Sequence, residues 1–269
     1  MHPEDRTAAA PASERELVAQ LHALGVEEGG LLLVHTSFRA VRPVEHGPLG
    51  LIAALRRALG PEGTLVMPSW SGDDDSPFDP ATTAAAPDLG IVAETFRRLP
   101  DVVRGDHCFA FAAAGPLAAR ITAGPLPLPP HIPESAVGRL HELDGQVLLL
   151  GVRHDADTTL HLAELLADVP YRAPRHCTVL RDGRPVRIDY LENDHCCARF
   201  DLADEWLRSR GLQAEGPVGH AHARLARSRD IVAVARERLA RDPFVFLHPP
   251  GAGCPDCDEA RGGVGRLFP

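Results

Sequence analysis

The 269-residue sequence contains no lysine, so arginine supplies all 28 of its basic side chains. Mechanisms that need a phosphate-loop lysine or a lysine Schiff base are therefore excluded. Acidic residues number 37, and the formal net charge at pH 7 is -9. A protein of this charge repels nucleic acids and anionic membranes at long range, so a small cationic substrate suits it better.

The sequence also has no apolar run long enough to span a bilayer, and its start does not show the basic and then apolar pattern of a secretory leader. It has 6 cysteines, but a chain of this size needs no disulfides to stabilise its core. We therefore predict a cytoplasmic protein with reduced thiols. The sequence is compatible with a homodimer and does not fix the oligomeric state.

Apolar residues divide much of the chain into alternating strands and helices. Ser13 is a typical helix N-cap, and the apolar residues after it recur at helical spacing. Predicted strands occupy 31–38, 64–70 and 145–152, and predicted helices occupy 13–25, 47–60, 91–99 and 158–169. This alternation indicates an α/β fold in which a layered, largely parallel sheet is flanked by helices.

The remaining segments predict an antiparallel excursion and a compact C-terminal part. Residues 176–190 predict a hairpin that turns at Asp182 and Gly183, because Asp-Gly is a preferred hairpin turn. Further predicted elements are helices at about 195–210 and 229–241 and a strand at 244–248. We expect residues 1–12 to be a flexible tail and residues 13–269 to form a single domain with a cysteine-bearing C-terminal segment.

Polar residues follow three of the predicted strands at the points where these strands end. They lie in the segments 35–37, 69–75 and 153–157. In α/β sheets, ligands bind in the crevice beyond the strand ends. The three segments form one site if their strands are neighbours in the sheet.

The strongest catalytic candidate is His154, which lies between the end of a predicted strand and the start of a helix. An imidazole with a pKa of about 6.5 accepts a proton at neutral pH, so we expect this ring to face solvent and act as a general base. Asp157, His161 and Glu164 share one helix face, and we expect Asp157 or Glu164 to orient the base. A plain surface or N-cap histidine is the alternative.

A basic loop after the first predicted strand is a candidate for binding a phosphorylated cofactor. Hydroxyl side chains at its start are followed by Arg39 and Arg42 and by a helix that begins near Gly47. These groups offer hydrogen-bond donors and positive potential that suit a pyrophosphate. The segment matches no nucleotide-binding fingerprint, and an ordinary strand-loop-helix connection is the alternative.

Two acidic segments predict a binding site for a polycation. Residues 73–75 are consecutive aspartates, and a second group consists of Asp189, Glu192 and Asp194. Runs of carboxylates are usually solvated surface. In a crevice, however, they would bind several ammonium groups and hold one amine near the base.

The C-terminal cysteines predict a metal site. The Cys254-Pro-Asp-Cys257 motif supplies half of a tetrahedral thiolate site, and the His-Cys-Cys segment 195–197 or His248 would supply the other half. The predicted ligands of a structural zinc ion are Cys196, Cys197, Cys254 and Cys257. Reduced free thiols are the alternative.

Long stretches of the chain carry a resemblance to a known enzyme family. Among them are LLLVHTSFRAVRP, GTLVMPSWSG, HELDGQVLLLGV, TTLHLAELLADVPY, DYLENDHCC and EGPVGHA. The sequence resembles the aminoglycoside 3-N-acetyltransferases, and most closely their type IV branch, which modifies apramycin and gentamicin. The resemblance implies an antibiotic N-acetyltransferase-type fold, distinct from the histone-acetyltransferase-like superfamily. It also implies acetyl transfer from acetyl-CoA to the 3-amino group of the drug's 2-deoxystreptamine ring, which gives resistance.

The resemblance extends to individual residues, and it matches the family's catalytic histidine with His154. The predicted acetyl-CoA-binding residues include those of the basic loop and a hydroxyl donor for the oxyanion. They are His35, Thr36, Ser37, Arg39, Arg42 and Thr159. The predicted aminoglycoside-binding residues are Asp73, Glu192 and Asp194.

The sequence departs from the family pattern beside the expected base. The pattern Gly-Val-Gly-His-Asp-x-Asn is replaced here by Gly-Val-Arg-His-Asp-Ala-Asp, so that Arg153 and Asp157 flank His154. These two changes act on the pKa of the histidine in opposite directions, so we expect an altered pH optimum. Cys108 stands where the family has proline, and the sequence offers no explanation for it.

Three other functions remain open from the sequence. The same chemistry would serve acetylation of another natural-product amine. A hydrolase would use Ser69 or Ser71 with His154, although the chain lacks the G-x-S-x-G elbow. A zinc-stabilised protein that only sequesters cationic drugs is the non-enzymatic alternative.

Overall fold

The computed structural model describes residues 10–263. Within them the helices α1 to α10 are Glu14–Leu24, Phe38–Val41, Gly47–Leu59, Gly90–Arg97, Ala118–Thr122, Ala136–Glu142, Thr159–Leu166, Leu202–Arg208, Ser228–Leu239 and Pro255–Gly262. The strands β1 to β9 are Leu31–Thr36, Thr64–Pro68, Val103–Arg104, Phe111–Ala114, Gln146–Leu150, Ala173–Arg181, Arg184–Glu192, Gln213–Val218 and Ala221–Arg227. Short 3-10 turns are Pro87–Leu89, His154–Ala156 and Ala198–Asp201.

Among the described residues, seven strands form one sheet in the order β3-β4-β2-β1-β5-β9-β8. The β2-β1-β5 centre is parallel, whereas the other four pairings are antiparallel. The predicted α/β sheet with flanking helices is confirmed, but the prediction of a largely parallel sheet is wrong. The strands outside the parallel centre are alanine-rich or carry charges, so their apolar patterns are weak.

Central strands of the sheet are apolar throughout because both faces of the sheet are covered. Leu31 and Leu33 of β1 join one core, whereas Leu32 and Val34 join the other. Side chains alternate between the two faces of a strand, so a strand covered on both sides has no polar face. Helices α1, α3 and α4 cover the second core, and α6, α7 and α9 cover the first.

Local signals set the first helix and the predicted hairpin. The Ser13 side chain accepts a hydrogen bond from the Glu16 backbone, and the Glu16 side chain binds the backbone of Ser13 in return. Strands β6 and β7 pair up to the predicted turn, where Asp182 and Gly183 have φ of 51° and 73°. Two positive φ values are the requirement of a type I′ hairpin turn, so the predicted turn is confirmed.

Chain ends and late segments differ from the prediction. Residues 244–248 form turns rather than a strand, although Phe246 and Leu247 are buried in the first core. Residues 1–9 of the predicted tail lie outside the described residues, whereas Ala12 forms a β-bridge with Val44. In the part of the chain that the structure describes, no helix combines the length and apolarity needed to cross a membrane.

Candidate active site

The parallel centre of the sheet brings the three predicted polar segments together. Strand β1 lies between β2 and β5 and runs parallel to both, so the loops that follow these strands open at the same edge. Gly151 begins the turn after β5 with a φ of 72°, and a Cβ there would lie 2.6 Å from Ala40 Cβ. Glycine is therefore needed at this position.

A cleft at this edge has three adjoining compartments. The central pocket is lined by residues that include His35, Asp157, Thr158 and His161. A second compartment, the basic groove, is lined by Arg39 and Arg42 and shares Thr36, Asp88 and Val152 with the central pocket. A third, the acidic pocket, is lined by Asp74 and Glu192 and shares Trp70, Thr158, His161 and Asp194 with the central pocket. A ligand in the groove and a ligand in the acidic pocket would therefore meet in the central pocket.

His154 is not among the residues that line the three compartments, and it is 1% exposed. It contacts Asp157, which lines the central pocket. The prediction that the ring faces solvent is therefore wrong. Its Nδ1 lies 3.0 Å from Asp157 Oδ2, and its Nε2 lies 2.8 Å from Gln213 Oε1. Asp157 in turn accepts the backbone N–H of Thr159 at 3.0 Å. The imidazole is thus held at both nitrogens by hydrogen-bond acceptors.

Gln213 was not predicted, because it lies on β8, 59 residues from His154 along the chain. Its amide nitrogen donates to Asp204 Oδ1 and Glu215 Oε1, both at 2.8 Å. These two carboxylates turn the amide oxygen of Gln213 toward the imidazole. The sequence signal was weak, since a glutamine in a short charged strand carries no motif.

The surroundings of His154 favour its charged form. Burial lowers the pKa of this imidazole, but the hydrogen bond and charge of Asp157, with help from Gln213, raise it above its usual value of 6.5. Burial raises the pKa of Asp157, yet the hydrogen bond from His154 outweighs it and the pKa is lowered. Arg153 points elsewhere and pairs with Asp201 at 2.8 Å.

Glu164 does not contact His154, so the alternative in which it orients the base is wrong. It is fully buried and lies 3.0 Å from His161 Nδ1 and 2.8 Å from His195 Nε2. It also accepts hydrogen bonds from Asn193 and from the hydroxyl of Tyr171. Glu164 is therefore the centre of a buried polar cluster behind the acidic pocket.

His161 is a site residue that the sequence placed only on a helix face. It lines both the central and the acidic pocket, and its ring stacks on that of His131 with centroids 4.9 Å apart. Its Nε2 lies 3.4 Å from Cys197 Sγ. Cys197 also lines the central pocket, and its role as a zinc ligand stays a prediction.

Most of the predicted cofactor residues line the cleft. His35 and Thr36 line the central pocket, and Thr36, Ser37, Arg39 and Arg42 line the basic groove. Burial lowers the pKa of His35 to about 4, so this ring is neutral at pH 7.

Thr159 does not line the cleft, because its side chain is fully buried. The prediction that it contacts the cofactor is therefore wrong. It contributes a backbone N–H to Asp157 instead.

Two of the three predicted substrate-binding carboxylates, Glu192 and Asp194, line the acidic pocket, whereas Asp73 does not. Asp73 is exposed and accepts the backbone N–H groups of Asp75 and Ser76 within its own loop. Asp74 lines the acidic pocket in its place, together with Glu192 and Asp194. Composition alone does not distinguish an aspartate that binds the backbone of its own loop from an aspartate that lines a pocket.

Three basic side chains affect the charge of the acidic pocket. Burial lowers the pKa of His161, but Cys197 and Glu164 outweigh burial and raise this pKa well above 6.5. Arg175 pairs with Asp194 at 2.6 Å, so one guanidinium faces the three carboxylates. Burial lowers the pKa of His131, which keeps this ring neutral at pH 7. The pocket therefore carries a net negative charge.

The two serines of the hydrolase alternative do not reach the histidine. Ser69 Oγ is buried and has no hydrogen-bond partner in the described residues. Ser71 Oγ bonds the backbone of Asp73. The contacts of His154 are Asp157 and Gln213, so no serine nucleophile is activated here.

A sequence profile of the family described as "Aminoglycoside 3-N-acetyltransferase" matches residues 33–240. The chain belongs to this family. It is 71% identical over 238 residues to aminoglycoside N(3)-acetyltransferase IV of Salmonella sp, across 88% of this chain and 91% of the relative. Membership makes the chain an acyltransferase of the type IV branch, and it rejects the hydrolase and the non-enzymatic alternative.

Solved structures support the same fold. The crystal structure of the aminoglycoside acetyltransferase AAC(3)-IVa apoenzyme is similar with a TM-score of 0.95 and 67% identity, over 96% of this chain and all of that one. Its H154A mutant has been solved in complex with a gentamicin and with apramycin. A more distant family member, AAC-IIIb binary with CoASH, has a TM-score of 0.77 at 28% identity and covers 86% of this chain and 97% of its own.

Proposed function

We propose that this enzyme transfers the acetyl group of acetyl-CoA to the 3-amino group of the 2-deoxystreptamine ring of aminoglycosides, with His154 as the general base. Apramycin and gentamicin are the proposed substrates, because the AAC(3)-IVa neighbour binds apramycin and a gentamicin. Acetylation removes one positive charge from the drug and adds bulk. Both changes weaken binding of the drug to its RNA target.

The charges of the cleft support the two ligands. The basic groove with Arg39 and Arg42 suits the phosphates of acetyl-CoA, and AAC-IIIb provides a family precedent for CoA binding. The acidic pocket with Glu192 and Asp74 suits the ammonium groups of the drug. The thioester and the amine would then meet in the central pocket.

The observation that carries the proposal is the hydrogen bond between His154 and Asp157, which lines the central pocket. Asp157 holds the Nδ1–H tautomer, which leaves the Nε2 lone pair for the proton of the amine. The Gln213 oxygen now lies against Nε2, so it turns aside when the amine approaches. After proton transfer it accepts the new Nε2–H and stabilises the imidazolium.

The proposed reaction is a direct transfer. The neutral amine nitrogen attacks the thioester carbonyl, its proton goes to His154 Nε2, and the C–S bond breaks as the oxyanion collapses. The CoA thiolate leaves and takes the proton from the imidazolium. Thr36 lines the central pocket, and its buried Oγ1 has no hydrogen-bond partner in residues 10–263, so this hydroxyl is our candidate donor to the oxyanion.

A thiol-release assay tests the function. With acetyl-CoA and apramycin or gentamicin, we expect stoichiometric release of CoA thiol, and mass analysis and NMR should locate a single acetyl group on the 3-amino nitrogen. A simple linear polyamine of similar charge should react slowly, since it lacks the rings that fill the acidic pocket. Faster turnover of another natural-product amine than of every aminoglycoside, or acetylation at a different nitrogen, would overturn the proposed substrate.

Asp157→Asn should move the pH profile of kcat/KM. The active base is neutral, and its pKa lies above the usual 6.5, so the acidic limb of the wild-type profile lies above that pH. Asparagine removes the carboxylate that raises this pKa, whereas burial still lowers it. We expect the limb to move to lower pH, as measured by rate profiles between pH 5 and 9.

Asp168→Asn is the matched control, because the Asp168 carboxylate is 95% exposed at the end of α7. Its profile should equal that of the wild type. An unmoved acidic limb in Asp157→Asn would mean that the titrating group is not the His154–Asp157 pair.

A further inference from the structure

A cluster of metal-ligating side chains lies outside the cleft. Cys196 precedes the 3-10 turn Ala198–Asp201, whereas Cys254 and Cys257 belong to the start of α10 and His248 lies in the turns before it. The Sγ atoms of Cys196 and Cys257 are 3.6 Å apart. The ligand atoms of Cys196, His248 and Cys254 lie within 4.8 Å of one another.

The Sγ–Sγ distance between Cys196 and Cys257 fits two ligands of one tetrahedral ion. Zinc bound by thiolates at about 2.3 Å holds neighbouring sulfurs about 3.8 Å apart. All six cysteines of the chain lie within the described residues, and each is a free thiol. Cys196 is therefore shared by two close groups, one with Cys257 and one with His248 and Cys254, and none of these thiols forms a disulfide.

The backbone around the cluster also suits a thiolate. The backbone N–H of His248 points at Cys257 Sγ at 3.4 Å. Backbone donors to ligating sulfurs stabilise their negative charge and orient them on the metal. Such a contact is expected for a metal thiolate, since a neutral thiol is only a weak acceptor.

The fourth ligand is decided by which histidine has an available nitrogen. His195 also lies near Cys196 and Cys257. However, its Nε2 is bound to Glu164 at 2.8 Å, and its Nδ1 accepts the backbone N–H of Cys197 at 3.1 Å. The ring of His248 makes no hydrogen bond within residues 10–263, so it is the ligand that remains.

We propose that Cys196, His248, Cys254 and Cys257 bind one structural zinc ion. All four positions are filled by the protein, as in structural rather than catalytic zinc sites. The ion joins α10 to the segment that follows β7. That segment carries Asp194, and Arg175 bridges Asp194 to Glu259 of α10. The zinc site therefore fixes one wall of the acidic pocket.

Metal analysis of the purified, untagged full-length enzyme tests the site. We expect one zinc ion per chain, lost in Cys254→Ser and in His248→Ala. Cys197→Ser and Cys108→Ala are the matched controls, since neither residue belongs to the cluster, and both should retain the metal. Cys254→Ser should also show a several-fold higher KM for aminoglycoside and little change in KM for acetyl-CoA.

Cobalt replacement makes the test independent of whether a variant folds. The wild-type enzyme reconstituted with Co(II) should show thiolate-to-metal charge transfer and the d–d bands of tetrahedral coordination, with X-ray absorption indicating three sulfurs and one nitrogen. Absence of zinc in the enzyme together with absence of this spectrum would overturn the proposal. Loss of metal in Cys197→Ser, with retention in His248→Ala, would overturn the ligand set.

Discussion

Replacing His154 with alanine should lower kcat by about 10²–10⁴-fold, the usual contribution of a general base. The residue is not part of the lining of the acidic pocket, so affinity for the drug should change little. Thiol release under saturating acetyl-CoA and drug gives kcat, and calorimetric titration of the drug gives its Kd. The expected separation of kcat from Kd distinguishes a lost base from a damaged binding site.

Two histidine variants complete this experiment. His220 is exposed at the turn between β8 and β9, so His220→Ala should behave as the wild type. His161→Ala tests the rival base, since His161 lines the central pocket and is paired with Glu164. Near-normal turnover in His154→Ala, with a large loss in His161→Ala, would move the general base to His161.

Replacing Glu164 with alanine should destabilise the enzyme by about 3–5 kcal/mol, because it breaks a buried charged cluster. The change leaves the hydroxyl of Tyr171 and the amide of Asn193 without their acceptor, and it leaves His161 and His195 without their carboxylate. For a chain of this size the loss corresponds to a fall in Tm of roughly 10 °C. Thermal and urea unfolding measure it.

Conservative and exposed variants sharpen this second test. Glu164→Gln keeps the size and part of the hydrogen bonding, so its loss should be smaller. Glu142→Gln is the control, because the Glu142 carboxylate is 66% exposed and its ion pair is worth little. Unfolding of Glu164→Ala at the wild-type temperature would contradict a stabilising role for the cluster.

Stability should also depend on the ionisation of this carboxylate. Burial raises the pKa of Glu164, but His195 and His161 outweigh burial and lower it from 4.5 to about 2. A group with a lowered folded-state pKa stabilises the fold above its unfolded pKa, and this contribution is lost as the pH falls through the folded value. The contribution is therefore full above about pH 4.5 and declines toward pH 2.

Several elements could be predicted from the sequence because their causes are local. The capping box at Ser13, the turn at Asp182 and Gly183, and the apolar strand at 31–36 each depend on residues next to one another. The crevice could be predicted as well, since three polar segments follow three buried strands. The antiparallel strands escaped prediction because the alanines of Phe111–Ala114 are buried yet carry little strand preference.

The sequence by itself determined the alternation of elements, the charge of the cleft and the residue types suited to acyl transfer to a cationic amine. Only the tertiary structure decided which residues of each type meet. It paired His154 with Asp157 and with the distant Gln213, chose Asp74 over Asp73, and placed Cys197 beside His161. The reason is physical: spacing along the chain assigns a residue to a face or a loop, whereas contact between elements depends on how the whole core packs.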